Sequence, residues 1–114
     1  MSLQKVLRAQ WDDYQRTHAT RANFVVHLLT VPVFLVGTAA FFWGVATVSW
    51  GYCLMGLLAV MGAMAAQGWG HQQEASRPAP FASRTDVCVR IFLEQWVTFP
   101  RYAVRVAMRA LMRR

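Results

Sequence analysis

Residues 22–73, ANFVVHLLTVPVFLVGTAAFFWGVATVSWGYCLMGLLAVMGAMAAQGWGHQQ, contain no Asp, Glu, Lys or Arg. A membrane-spanning helix needs about 20 apolar residues, so this stretch of 52 accommodates two spans and a turn. The reading places span one at 22–44, the turn at 45–49 and span two at 50–70. A pair of buried helices in a soluble bundle is the alternative. It fails on size, because the rest of a 114-residue chain is too short to cover two helices that are apolar all round. A cleaved signal peptide is also a poor match. Its apolar core is about 7–15 residues near the start, whereas this run is longer and follows a charged segment.

The charges lie on either side of this stretch. Hydrophobic residues make up 56% of the chain and charged residues 15%, against about 45–50% and about 25% in an average soluble protein. Lys and Arg nevertheless outnumber Asp and Glu by 12 to 5, for a net charge of +7. Such a composition excludes a disordered tail and argues against an ordinary soluble enzyme. Cys53 and Cys88 form no CxxC motif, are too few for a disulfide scaffold and read as packing residues. The chain is long enough for one domain.

The loop between the spans has no Lys or Arg and both flanks are rich in them, so the positive-inside rule puts both termini on the cytoplasmic side. Trp43, Trp50 and Trp69 stand where interfacial anchors belong. Small residues recur four apart at Ala40 and Gly44, Ala59 and Ala63, and Gly62 and Ala66, which permits close packing within the hairpin or between two copies. Pro32 is expected to kink span one. The expected fold is an all-α membrane protein, a transmembrane hairpin flanked by amphipathic interfacial helices.

Residues 1–20 read as the first surface helix. Leu3, Val6, Leu7, Trp11, Tyr14 and His18 follow steps of three and four, with Lys5, Arg8, Asp12 and Arg16 off that stripe. Two prolines make 77–85 a loop. Residues 86–99 read as a helix with Arg90 and Glu94 paired one turn apart, ended by Pro100. Beyond it, Arg101, Arg105, Arg109 and Arg113 recur four apart, a spacing at which like charges repel unless an anionic surface compensates. Anionic lipid headgroups are the expected partner; no nucleic-acid motif accompanies the arginines.

The three histidines are His18, His27 and His71. The midpoint of 27 and 71 is 49, in the turn, so a hairpin returns His71 to the membrane depth of His27. Asn23 and Glu74 meet at the same level. Asn23 shares a helical face with His27, and Glu74 shares one with His71. His18 lies half a turn out of phase with His27 on a straight helix and joins it only if the chain bends near Thr20, an acceptable N-cap. Two or three imidazoles and a carboxylate suit a divalent metal: Fe(II) with oxygen chemistry, or zinc with hydrolysis. Interfacial histidines can equally cap helices or bond headgroups. Among catalytic motifs, GxSxG, HExxH and a phosphate loop are absent.

The spacing Tyr14-x3-His18-x4-Asn23-x3-His27-x4-Pro32 resembles the first signature of the 2-hydroxy-fatty-acid dioxygenase family of the yeast endoplasmic-reticulum membrane. Gln67-x2-Gly70-His71, followed by Glu74 and Arg77-Pro78-Ala79, resembles its second. The resemblance implies a membrane-embedded Fe(II) enzyme that uses dioxygen to remove one carbon from 2-hydroxy fatty acids, as in α-oxidation. It makes His18, His27 and His71 the iron ligands. Glu74 then serves as fourth ligand or orienting partner, Asn23 bonds a ligand or substrate, and Arg77 or Arg21 neutralises the substrate carboxylate. Two features depart from the family. His71 and Glu74 stand three apart where the family has four, and less apolar chain separates the signatures. Two helices make a poor bundle alone, so a homodimer with a four-helix core is expected. The alternative to an enzyme is a small membrane protein that binds lipid or a partner protein.

Overall fold

The computed structural model describes residues 2–113. Most of these are helical, with no strand among them. In chain order they form α1 (Leu3–Thr17), α2 (Arg21–Ala46), α3 (Trp50–Gln72), α4 (Arg84–Leu93), a π-helical turn (Glu94–Thr98) and α5 (Phe99–Met112). Length alone suggests one domain; the contacts divide the chain into two compact units, His18–Ala75 and the pair Met1–Thr17 with Ser76–Arg114.

The first unit is the hairpin of α2 and α3. With 26 and 23 residues, both helices are long and apolar enough to cross a membrane. At about 1.5 Å per residue each exceeds the roughly 30 Å hydrocarbon core. Their outer faces are exposed and apolar, with Leu28, Leu29, Val33, Val36, Leu54, Leu58 and Met61 all outward. The seam between them is small or polar. Gly37 lies against Ala59 and Gly56, and Gly44 against Cys53. A Cβ on Gly56 would strike the Gly37 carbonyl and the Phe41 backbone. Of the expected small-residue pairs, Gly44 and Ala63 are buried in the hairpin, whereas Gly62 faces open space. Glycine at 56 and 37 lets the backbones approach closely.

The turn is a Schellman motif. Ser49 N–H bonds the Gly44 carbonyl at 2.7 Å and Val48 N–H the Val45 carbonyl at 3.3 Å. The left-handed position that glycine normally takes is held by Val48, at φ 51°. A β-branched side chain there is strained.

In the second unit, α1 carries the contacts. Gln10 is used at both ends of its amide: Nε2 donates to the Arg90 carbonyl at 2.7 Å, and Oε1 accepts from the Thr98 hydroxyl at 2.7 Å. Tyr14 donates to Glu94 at 3.0 Å and packs its ring 5.0 Å from Tyr102. Trp11 lies under the Arg101 guanidinium, 3.8 Å from the ring centre.

Two expectations are corrected in this unit. Pro100 does not end the helix; it sits in the first turn of α5, directly after the π turn. Proline has no N–H for the Trp96 carbonyl and its ring crowds that oxygen. The wider π turn, in which Phe99 N–H reaches back to the Glu94 carbonyl, lets the chain pass without breaking. Gln95, Thr98 and Phe99 of this segment are buried. Arg90 takes Asp86 as its ion-pair partner at 3.4 Å and donates to the Ala79 and Pro80 carbonyls, while Glu94 accepts from Tyr14.

Burial is inverted relative to a soluble domain. Among the described residues six hydrophobic side chains are buried and nine polar or charged ones. Five of the nine, His18, Asn23, His27, Gln67 and Glu74, lie toward one end of the hairpin unit, away from its turn. Buried polar side chains, rather than buried apolar ones, are the informative feature of this unit.

Candidate metal centre

His18 lies in a non-helical link, residues 18–20, between α1 and α2. The helix break supplies the bend that the nine-residue spacing requires. Glu74, just past α3, clasps this link. Its Oε1 accepts from Ala19 N–H at 2.9 Å and Thr20 N–H at 3.1 Å, and its Oε2 from the Thr20 hydroxyl at 2.8 Å. Thr20 in turn N-caps α2, accepting from Asn23 N–H at 3.2 Å. The carboxylate also sits at the positive end of α2. Burial raises its pKa, but hydrogen bonds from the Thr20 hydroxyl and backbone, the Asn23 side chain and the Ala19 backbone outweigh this and hold it below the ordinary carboxylate value.

The clasp fixes His18 over His27. Their Nε2 atoms are 3.3 Å apart. One ring nitrogen from each of His18, His27 and His71 lies within 4.8 Å of the others. The ring centres are 4.6, 4.7 and 5.1 Å apart and the ring planes nearly perpendicular in each pair. His18 and His27 are buried and His71 is half-buried.

The tautomer of His27 follows from its partner. Nδ1 faces the Asn23 carbonyl at 3.0 Å, and a carbonyl only accepts, so Nδ1 carries the proton. In the neutral ring Nε2 is then a bare lone pair directed at His18. A backbone carbonyl behind a histidine is the usual support of a metal ligand. Two nitrogens each about 2.0–2.1 Å from one ion are about 2.8–3.0 Å apart in octahedral and about 3.3–3.4 Å apart in tetrahedral geometry, and the 3.3 Å separation matches the tetrahedral value. The donor set therefore fits a borderline divalent metal, and these three residues could hold it.

The other expected residues are placed as follows. Asn23 is fully buried, and its side-chain oxygen lies so close to Gly70 that a Cβ there would overlap it. Both Glu74 oxygens are engaged with residues 19–20. Arg21 is exposed at the first position of α2. Arg77 is exposed in the coil after α3, in the second unit. One polar pair had no assigned role: Gln67 donates to Thr30 at 3.0 Å, and Thr30 donates to the Val26 carbonyl at 2.7 Å. Their signal was present, since Gln67 is four residues before His71 and Thr30 three after His27.

Comparison with protein-family profiles, curated proteins and solved structures finds no match.

Proposed function

We propose that the chain is a membrane-embedded enzyme in which His18, His27 and His71 hold Fe(II) and 2-hydroxy fatty acids are shortened by one carbon with dioxygen. The observation that carries this reading is the convergence of three imidazole nitrogens with the His27 lone pair turned inward by the Asn23 carbonyl. The spaced signatures in the sequence support the choice of iron and of substrate. A bound Fe(II) supplies one-electron and dioxygen chemistry. The protein's own part is to hold the ligands rigidly. Asn23 fixes the His27 ring, and Glu74 and Thr20 fix the link that carries His18. Arg21 neutralises the substrate carboxylate, and the acyl chain lies along the apolar outer faces of the hairpin. The active form in this reading is a homodimer, checked by light scattering in detergent.

A second reading is favoured by the same 3.3 Å distance, which also suits a direct N–H···N hydrogen bond from His18 to His27. The protein would then bind lipid or a partner without catalysis. Zinc with hydrolysis is a third. Metal analysis of protein purified without chelators, followed by incubation with 2-hydroxypalmitate, Fe(II) and oxygen, separates them. The proposal expects iron at one ion per chain and a product one carbon shorter, both lost in His27→Ala. Metal-free wild type that takes up no Fe(II) contradicts it.

A further inference from the structure

Within the second unit, Trp11, Asp12 and Gln15 of α1 and Tyr102, Arg105 and Arg109 of α5 line a hollow of about 240 Å³. Pockets that enclose drug-sized ligands run to about 300–1,000 Å³, so this one suits a headgroup-sized ion rather than an acyl chain. Arg101, Arg105 and Arg109 follow one side of α5 at one-turn spacing, where like charges repel. Trp11 relieves part of that repulsion. The Arg101 guanidinium is 3.8 Å and that of Arg105 5.4 Å from its ring centre. The stacking also anchors the arginines at the rim.

The lining sets two guanidinium groups against one carboxylate, Asp12. A purely anionic ligand gains from the arginines and is opposed by Asp12. A simple cation meets the reverse. A ligand that carries both charges satisfies the whole lining. Arginine forks match phosphate oxygens in bidentate geometry. A carboxylate forms charge-assisted hydrogen bonds with a primary ammonium but none with a quaternary one, which has no N–H. Gln15 and the Tyr102 hydroxyl add neutral donors and acceptors.

We propose that this hollow binds one aminophosphate group, a phosphate ester with a primary ammonium nearby, its phosphate at Arg105 and Arg109 and its ammonium at Asp12. Two sources share that chemistry: an ethanolamine phospholipid and soluble phosphoethanolamine. The metal centre is not involved, so the site stands or falls independently of it.

The test is native mass spectrometry of the full chain in detergent, titrated with short-chain phosphatidylethanolamine, phosphatidylcholine and phosphatidylglycerol, and with free phosphoethanolamine as competitor. One ethanolamine lipid per chain is expected, held about tenfold more tightly than either other lipid. Arg105→Gln with Arg109→Gln should lose all three by about tenfold or more, with helicity by circular dichroism unchanged. Asp12→Asn should abolish the preference for ethanolamine while leaving phosphatidylglycerol bound. Competition by free phosphoethanolamine at equal affinity supports the site and assigns it a soluble ligand. The proposal is overturned if the double arginine variant binds as wild type does, or if wild type shows no ethanolamine preference for Asp12→Asn to remove.

Discussion

The hairpin and the second helical unit solve the packing problem in opposite ways. In the hairpin, α2 and α3 meet through residues with almost no side chain: Gly37 against Gly56 and Ala59, Gly44 against Cys53, Gly70 against Asn23. The large apolar residues point outward. In the second unit, the contacts run through long polar and aromatic side chains: Gln10, Tyr14 and Trp11 reaching to α4, the π turn and α5. The contrast reflects what each has to gain. Helices apolar all round have no single face to bury against each other, so close backbone contact and internal polar bonds decide their register. Short amphipathic helices have one face to bury and directional bonds to orient it.

The largest predicted effect sets two glycines of α3 against each other. Gly56→Ala places a methyl group against the Gly37 carbonyl and the Phe41 backbone, where no flexible side chain can give way. It should cost about 1–3 kcal/mol or more. Gly62→Ala meets nothing within 4 Å and should be neutral or gain up to about 1 kcal/mol of helix propensity. Thermal melts of both in one detergent check the pair, and equal effects would break the close-contact account. Next, Gln10→Ala leaves the Thr98 hydroxyl and the Arg90 carbonyl without their partner in the second unit, at about 1–3 kcal/mol. Hydrogen exchange should rise in α1 and the π turn and stay unchanged in the hairpin.

Acid should act on the hairpin through Glu74. Its carboxyl is held below the ordinary 4.5, so the folded state binds its proton later than the unfolded one. The stabilisation is complete at pH above the unfolded value. It falls as pH drops below 4.5 and is gone once pH passes the lowered folded value. Glu74→Gln should flatten that part of the stability curve. A modest effect belongs to the turn. Val48→Gly removes a left-handed β-branched residue and should stabilise the hairpin by about 1 kcal/mol, raising its melting temperature.

Much of this comparison was readable in the sequence. The charge-free stretch marks two helices of membrane length, and the symmetry of His27 and His71 about residue 49 brings them together. His18 was legible only with a bend, which Thr20 and Glu74 supply through bonds that no periodicity reveals. The inward faces of α2 and α3 were not legible in full, because helices apolar on every side show no stripe. Gly62 therefore read as an interface residue yet faces outward, while Gly37 and Gly56 passed unnoticed. Pro100 read as a break because the π turn that absorbs it depends on contacts with α1, 80 or more residues earlier in the chain. The Arg90 partner was missed for a simpler reason: Asp86 and Glu94 are both one turn away, and spacing does not choose between them.

The central claim is that three imidazoles share one metal ion. Anaerobic titration of the purified chain with Co(II), a spectroscopic stand-in for Fe(II), tests it most directly. Visible absorption should saturate at one ion per chain, be competed by Fe(II), and disappear in His18→Ala, His27→Ala and His71→Ala, while circular dichroism reports intact helices. Saturation at the same stoichiometry and with the same spectrum in all three variants would contradict the account.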